Sequence, residues 1–134
     1  MNINEINAGA LAYVGDAIYE LIIRKYLIST KLNSVNKLQN ESIKYVSAKA
    51  QAKFLDKIID ANILTKEELS TVSRARNYKP NSKPKNTDIK TYKKATALEA
   101  LFGMLYLSNN KDRLEIITKE ILGWYHVCIW EKRG

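Results

Sequence analysis

The chain has 134 residues, 46% hydrophobic and 27% charged, which suits one globular domain with one modest core. Its only cysteine, Cys128, and only histidine, His126, exclude an internal disulfide framework and a Cys/His zinc site. The formal net charge of +8 favours a polyanionic partner, nucleic acid ahead of membrane.

Gly and Pro are scarce, strand-like alternation is absent, and apolar residues recur at helical spacing, so an all-α fold is predicted. Leu11, Val14, Ile18, Leu21 and Ile22 line one face of a first helix. A second helical region runs from about Val35 to Asp60, with a break expected in the polar cluster Asn40 to Ser42. Its later part, Tyr45 to Phe54, is rich in alanine and allows close helix contact, and Leu55, Ile58 and Ile59 continue its core face. Thr65 and Glu68 form a capping box that opens another helix, with Leu64 and Leu69 spaced as a hydrophobic staple. That helix should end near Asn77. A loop with both prolines, Pro80 and Pro84, follows. Leu98, Leu101, Phe102 and Leu105 mark the next helix. Leu114, Ile117, Ile121, Tyr125 and Cys128 mark the last, and His126 falls there in a structural or solvent-facing role.

No apolar stretch is long enough to span a bilayer, because Glu20, Arg24, Lys25 and Glu99 interrupt the best ones. The first eight residues hold no basic segment followed by an apolar run. No signal peptide is read there, and the cytoplasm is the expected location, with no membrane partner.

Between Arg74 and Lys94 lie eight basic residues against one acid, Asp88, so this segment holds +7 of the net +8. The plain alternative is a solvated loop. Concentration in one segment, interleaved with Tyr78, Asn77, Asn86 and Thr87, favours contact with phosphates and ribose hydroxyls.

Two acids sit in apolar surroundings. Asp16 lies within Ala10-Leu11-Ala12-Tyr13-Val14-Gly15-Asp16-Ala17, and Glu99 within Ala95-Thr96-Ala97-Leu98-Glu99-Ala100-Leu101-Phe102-Gly103. Both are expected to be at least partly buried, and a buried carboxylate needs a cation or a proton. Small neighbours leave room for a metal and its waters. One such acid would be read as a cap or salt bridge. Two, without a usable His or Cys set, fit a carboxylate–Mg²⁺ site. Glycoside hydrolysis is the other use of a carboxylate pair, and the basic segment favours a phosphodiester instead.

At these residues the sequence resembles the ribonuclease III family. Ala10 to Ala17 is similar to its signature helix, in which Leu/Val-Gly-Asp carries a catalytic aspartate, and Thr96 to Gly103 to its second acidic helix. The likeness is strongest to the short bacterial branch, Mini-ribonuclease III, through Ala10 to Ala17, Tyr45 to Ala52, Arg74-x-Arg76-Asn77 and Pro84-Lys85-Asn86-Thr87-Asp88.

The resemblance implies an all-α, ribonuclease III endonuclease-domain-like helical bundle. One catalytic domain would span residues 1–134, without a separate double-stranded-RNA-binding domain. It implies a homodimer in which each subunit cuts one strand of duplex RNA, with Mg²⁺ as cofactor. Asp16 and Glu99 would be both the catalytic acids and the metal ligands. The implied task is maturing the ends of the 23S rRNA precursor, with a ribosomal protein as a further candidate partner.

Larger relatives carry further acids where this chain has Ala12 and Thr96, so the metal site is expected to be pared down. Glu20 and Asp88 are candidate helpers, with pairing to Lys or Arg and helix capping as their competing roles. Without a separate RNA-binding domain, Arg74, Arg76, Asn77, Lys83, Lys85 and Asn86 are expected to grip the duplex. Lys49 and Gln51 either assist or face solvent. Two competing readings are a non-catalytic RNA-binding ribosome-assembly factor with the same fold, and a helical interaction protein whose acids are structural.

Overall fold

The computed structural model describes residues 2–79 and 88–123. Among the described residues, a single 3-10 turn, Ile3–Glu5, is followed by six α-helices. They are α1 (Ala8–Ser29), α2 (Val35–Val46), α3 (Ala48–Asp60), α4 (Lys66–Arg76), α5 (Ile89–Leu107) and α6 (Lys111–Leu122). Among the described residues there is no strand, and no helix is long and apolar enough to cross a membrane.

Helix α5 is the centre of the bundle. From Ala95 to Leu105 it is buried on nearly every side, as an all-round apolar helix should be. It packs against α1, α3, α4 and α6. Its closest partner is α1, and the crossing depends on two glycines. A Cβ on Gly15 would overlap the Glu99 carbonyl, and a Cβ on Gly103 would overlap the Leu11 carbonyl. The two backbones therefore touch at residues adjoining both acids. The space expected beside Glu99 for metal and water is, at Gly103, filled by α1.

Leu11, Ile18 and Ile22 are buried on α1 as expected and Val14 is half-buried, but Leu21 is 45% exposed. Leu21 lies two turns beyond Tyr13, on the side of the helix facing away from α5.

The second helical region breaks at Ser47, not at Asn40 to Ser42. Ser47 is extended (φ −63°, ψ 152°), and its hydroxyl accepts from the Ala50 N–H as an N-cap. The polar cluster lies within α2 instead. There Glu41 pairs with Lys44, and the Ser42 hydroxyl donates to the Gln39 carbonyl.

The capping box of α4 is present. The Thr65 hydroxyl accepts from the Glu68 N–H (3.1 Å), and the Glu68 carboxylate accepts from the Thr65 N–H (2.9 Å). Glu68 does more than cap. It is buried, and Arg113 of α6 donates to both its oxygens at 2.7 and 2.6 Å. Arg113 also donates to the Ile63 carbonyl, so one guanidinium joins α6 to the start of α4. Asn77 caps the end of α4, and Asp88 caps the start of α5 by accepting from the Thr91 N–H and hydroxyl. Helix α6 stops at Leu122, where Gly123 takes a left-handed conformation (φ 67°). Tyr125, His126 and Cys128 lie outside the described residues.

Candidate functional site

The α1–α5 crossing, where Gly15 meets the Glu99 backbone, brings Asp16 close enough to Glu99 for the two carboxyl groups to interact. Glu99 is half-buried, but Asp16 is exposed, contrary to the burial expected from its apolar neighbours. The neighbours are apolar because α1 buries its other side in the core, and Asp16 occupies the rim.

Burial pushes the Glu99 carboxyl up to about 8. The hydrogen bond with Asp16 and its negative charge push in the same direction, as does the charge of Glu20, while a hydrogen bond from Gln51 opposes them. Asp16 and Glu20 thus both act on Glu99 at this surface. Glu20 also pairs with Arg24 at 3.5 Å in an exposed contact, the competing role expected for it. Asp88 takes its competing role too, as the cap of α5. The Thr91 hydrogen bonds hold its carboxyl below the usual range.

The donor set fits a hard divalent cation. Asp16 and Glu99 offer oxygen ligands only, and a cation between them would relieve the repulsion that helps raise the Glu99 pKa. Among the described residues, no cluster of three or more Asp, Glu, His or Cys side chains is placed to hold a metal. The pair would therefore leave most ligand positions to water and substrate.

Gln51 proves to be part of this site. It neither faces solvent nor stands ready for RNA, being only 3% exposed. Its Nε2 donates to the Val46 carbonyl (3.2 Å), and its side chain lies close enough to Glu99 to oppose the rise in the Glu99 pKa. Tyr19, three residues after Asp16, donates its hydroxyl to the Tyr45 carbonyl (2.7 Å) and meets Phe102 edge-on. Burial, then Glu99 and Tyr45, raise the Tyr19 phenol above its usual range.

The expected RNA-gripping residues divide into separate groups. Arg74 turns towards the N-terminal segment and donates to the Asn4 (3.2 Å) and Ile6 (3.0 Å) carbonyls. Arg76 and Asn77 line a groove of about 540 Å³ together with Ser73, Lys90 and Lys93. Nothing in the basic segment singles out Lys90 and Lys93, because only packing brings the start of α5 beside the end of α4. Lys94 pairs with Asp56 (3.0 Å). Lys49 is exposed in the first turn of α3, the helix that carries Gln51. Lys83, Lys85 and Asn86 lie outside the described residues.

Comparison with known proteins matches residues 9–110 to the ribonuclease III domain. The chain is 40% identical to a Mini-ribonuclease 3 of Staphylococcus aureus over 121 residues, covering 90% of each chain. It is 44% identical to that of Enterococcus faecalis over 120 residues, covering 90% of this chain and 88% of the relative. A crystal structure of a Fusobacterium nucleatum protein matches with a TM-score of 0.79 at 32% identity, over 90% of this chain and 96% of that one. The fold, the acid-bearing helix crossing and these relatives agree: the chain belongs to the ribonuclease III family, within its Mini-ribonuclease 3 group of endoribonucleases.

Proposed function

We propose that this endoribonuclease cuts double-stranded RNA with Mg²⁺ held by Asp16 and Glu99. The observation that carries the reading is the close approach of Asp16 and Glu99 where α1 and α5 cross at Gly15. When bound, Mg²⁺ would supply positive charge for the phosphodiester and lower the pKa of an attacking water. Asp16 and Glu99 would hold it through their carboxylate oxygens. The pared-down donor set leaves room for a substrate phosphate.

The duplex backbone would lie along the basic groove. Lys93 is six residues before Glu99 on the same helix, about 9 Å along the axis at 1.5 Å per residue. Arg76, Lys90 and Lys93 offer charge to phosphates there, and Asn77 and Ser73 offer hydrogen bonds to ribose hydroxyls. Lys49 extends the contact from the α3 side. Lys83, Lys85 and Asn86 belong to the same proposed grip through the resemblance alone.

A homodimer is part of this reading. Tyr13 (82% exposed), Leu21 (45%) and Ile28 (63%) form an apolar stripe on α1, and Val35 (67%) and Ile43 (60%) extend the exposed apolar surface on α2. A patch of this kind favours a partner surface. Tyr13 stands one turn from Asp16, so a second copy seated there would set two acid pairs close together, one for each strand.

The 23S rRNA precursor as natural substrate, its processing in the cytoplasm and help from a ribosomal protein rest on the resemblance of the four motifs. Precursor rRNA incubated with wild type and Asp16→Asn, with and without Mg²⁺, tests the reading. Wild type should trim the precursor only with Mg²⁺. Asp16→Asn should be slower on the order of 10⁴-fold while still binding RNA. Unimpaired trimming by Asp16→Asn would overturn the assignment.

A further inference from the structure

Gln51 is a buried polar side chain that the proposed chemistry does not use directly. One turn into α3, it is 3% exposed, and its amide faces two partners. It donates to the Val46 carbonyl (3.2 Å), at the end of α2, and where α3 packs on α5 its side chain lies close enough to the Glu99 carboxyl to favour the charged form. The preceding carbonyl, that of Tyr45, accepts from the Tyr19 hydroxyl (2.7 Å). Two successive carbonyls at the α2–α3 corner thus anchor both acid-bearing helices, α1 through Tyr19 and α5 through Gln51. Ser47 fixes the corner itself by capping α3.

A carboxylate free to rotate must be ordered by the cation it binds, which weakens binding. One held by a buried donor is ordered beforehand, and partners of this kind are typically worth about 10–100-fold in metal affinity. The packing leaves Gln51 little freedom of its own, because Ala52 and Leu55 beside it are buried.

We propose that Gln51 is a positioning residue that holds the Glu99 carboxylate in the orientation from which it and Asp16 take a divalent cation. This inference rests on the reading of that acid pair as the cation site. Gln51→Met keeps the side-chain volume and removes the amide. Calorimetric titration of the full chain with Mn²⁺ alone should show about 10–100-fold weaker binding by the variant than by wild type. With duplex RNA, KM should be unchanged. The kcat should fall at limiting Mg²⁺ and recover as Mg²⁺ is raised. Equal Mn²⁺ affinity of the folded variant and wild type would overturn the role of Gln51 and leave the acid pair standing. Wild type that binds no cation would overturn both.

A measurement on wild type covers the case in which Gln51→Met does not fold. The Gln51 side-chain amide resonance should move on Mg²⁺ addition and saturate with the same affinity as the bulk titration. A resonance that stays put while Mg²⁺ binds would refute the positioning role.

Discussion

Glu99 holds its proton to about pH 8 because it is half-buried beside Asp16, whereas in an unfolded chain it would lose it near 4.5. The sign of the consequence follows from linkage. The folded state binds this proton more tightly, so its contribution to stability is complete below about pH 4.5 and is lost as pH rises through about 8. Cation-free protein should therefore lose melting temperature across that window. Glu99→Gln, which mimics the protonated acid, should lack this part of the slope. Melting curves in EDTA for both proteins check it, and equal slopes would contradict the burial of Glu99 against Asp16. The candidacy of Glu99 is legible in the sequence because an acid inside an apolar helix is anomalous on its face. The exposure of Asp16 is not, since its neighbours are apolar for the sake of the opposite side of α1. Gln51 is illegible for a different reason: its partner Glu99 is on another helix, and no local pattern distinguishes a buried glutamine from an exposed one.

Helices α1 and α5 can hold the two acids together only because their backbones meet at Gly15 and Gly103. Gly103→Ala must push the helices apart, since the clash is with backbone rather than with a side chain that could swing away. Overpacking of this kind costs about 1–3 kcal/mol or more. Urea unfolding should register that loss, and RNA cleavage should fall further than stability alone explains, because Asp16 and Glu99 separate. Full activity and unchanged stability would show that the crossing tolerates a methyl group. Element boundaries are legible where a cap writes its own signature. Thr65 and Glu68 announce α4, and Asp88 is a recognisable cap for α5. Ser47 escapes notice because the polar run at Asn40 to Ser42 carries the same residue types, yet those side chains lie within α2. Arg113 and Glu68 are unreadable as a pair, being joined across 45 residues by tertiary packing.

For the molecule as a whole, the +7 segment points to a polyanion without any knowledge of packing. Which charges would face it is not readable, because Arg76 on α4 meets Lys90 and Lys93 only through the packing of α4 against α5. Arg74, two residues from Arg76, faces the N-terminal segment instead. Neutralising Arg76, Lys90 and Lys93 together should weaken duplex binding and flatten its salt dependence. The log–log slope should drop by roughly one unit for each phosphate no longer neutralised. Arg74→Gln should leave that slope nearly unchanged. Binding measured across a salt series checks both, and the reverse pattern would place the RNA on the Arg74 side.

The proposed function has one Asp16–Glu99 pair per subunit cutting duplex RNA with a divalent cation. A short duplex labelled at both 5′ ends and incubated with wild type or Asp16→Asn, in Mg²⁺ or EDTA, tests it most directly. Wild type should cleave both strands in Mg²⁺ and neither in EDTA, and Asp16→Asn should bind without cleaving. Cleavage in EDTA, or undiminished cleavage by Asp16→Asn, would contradict it.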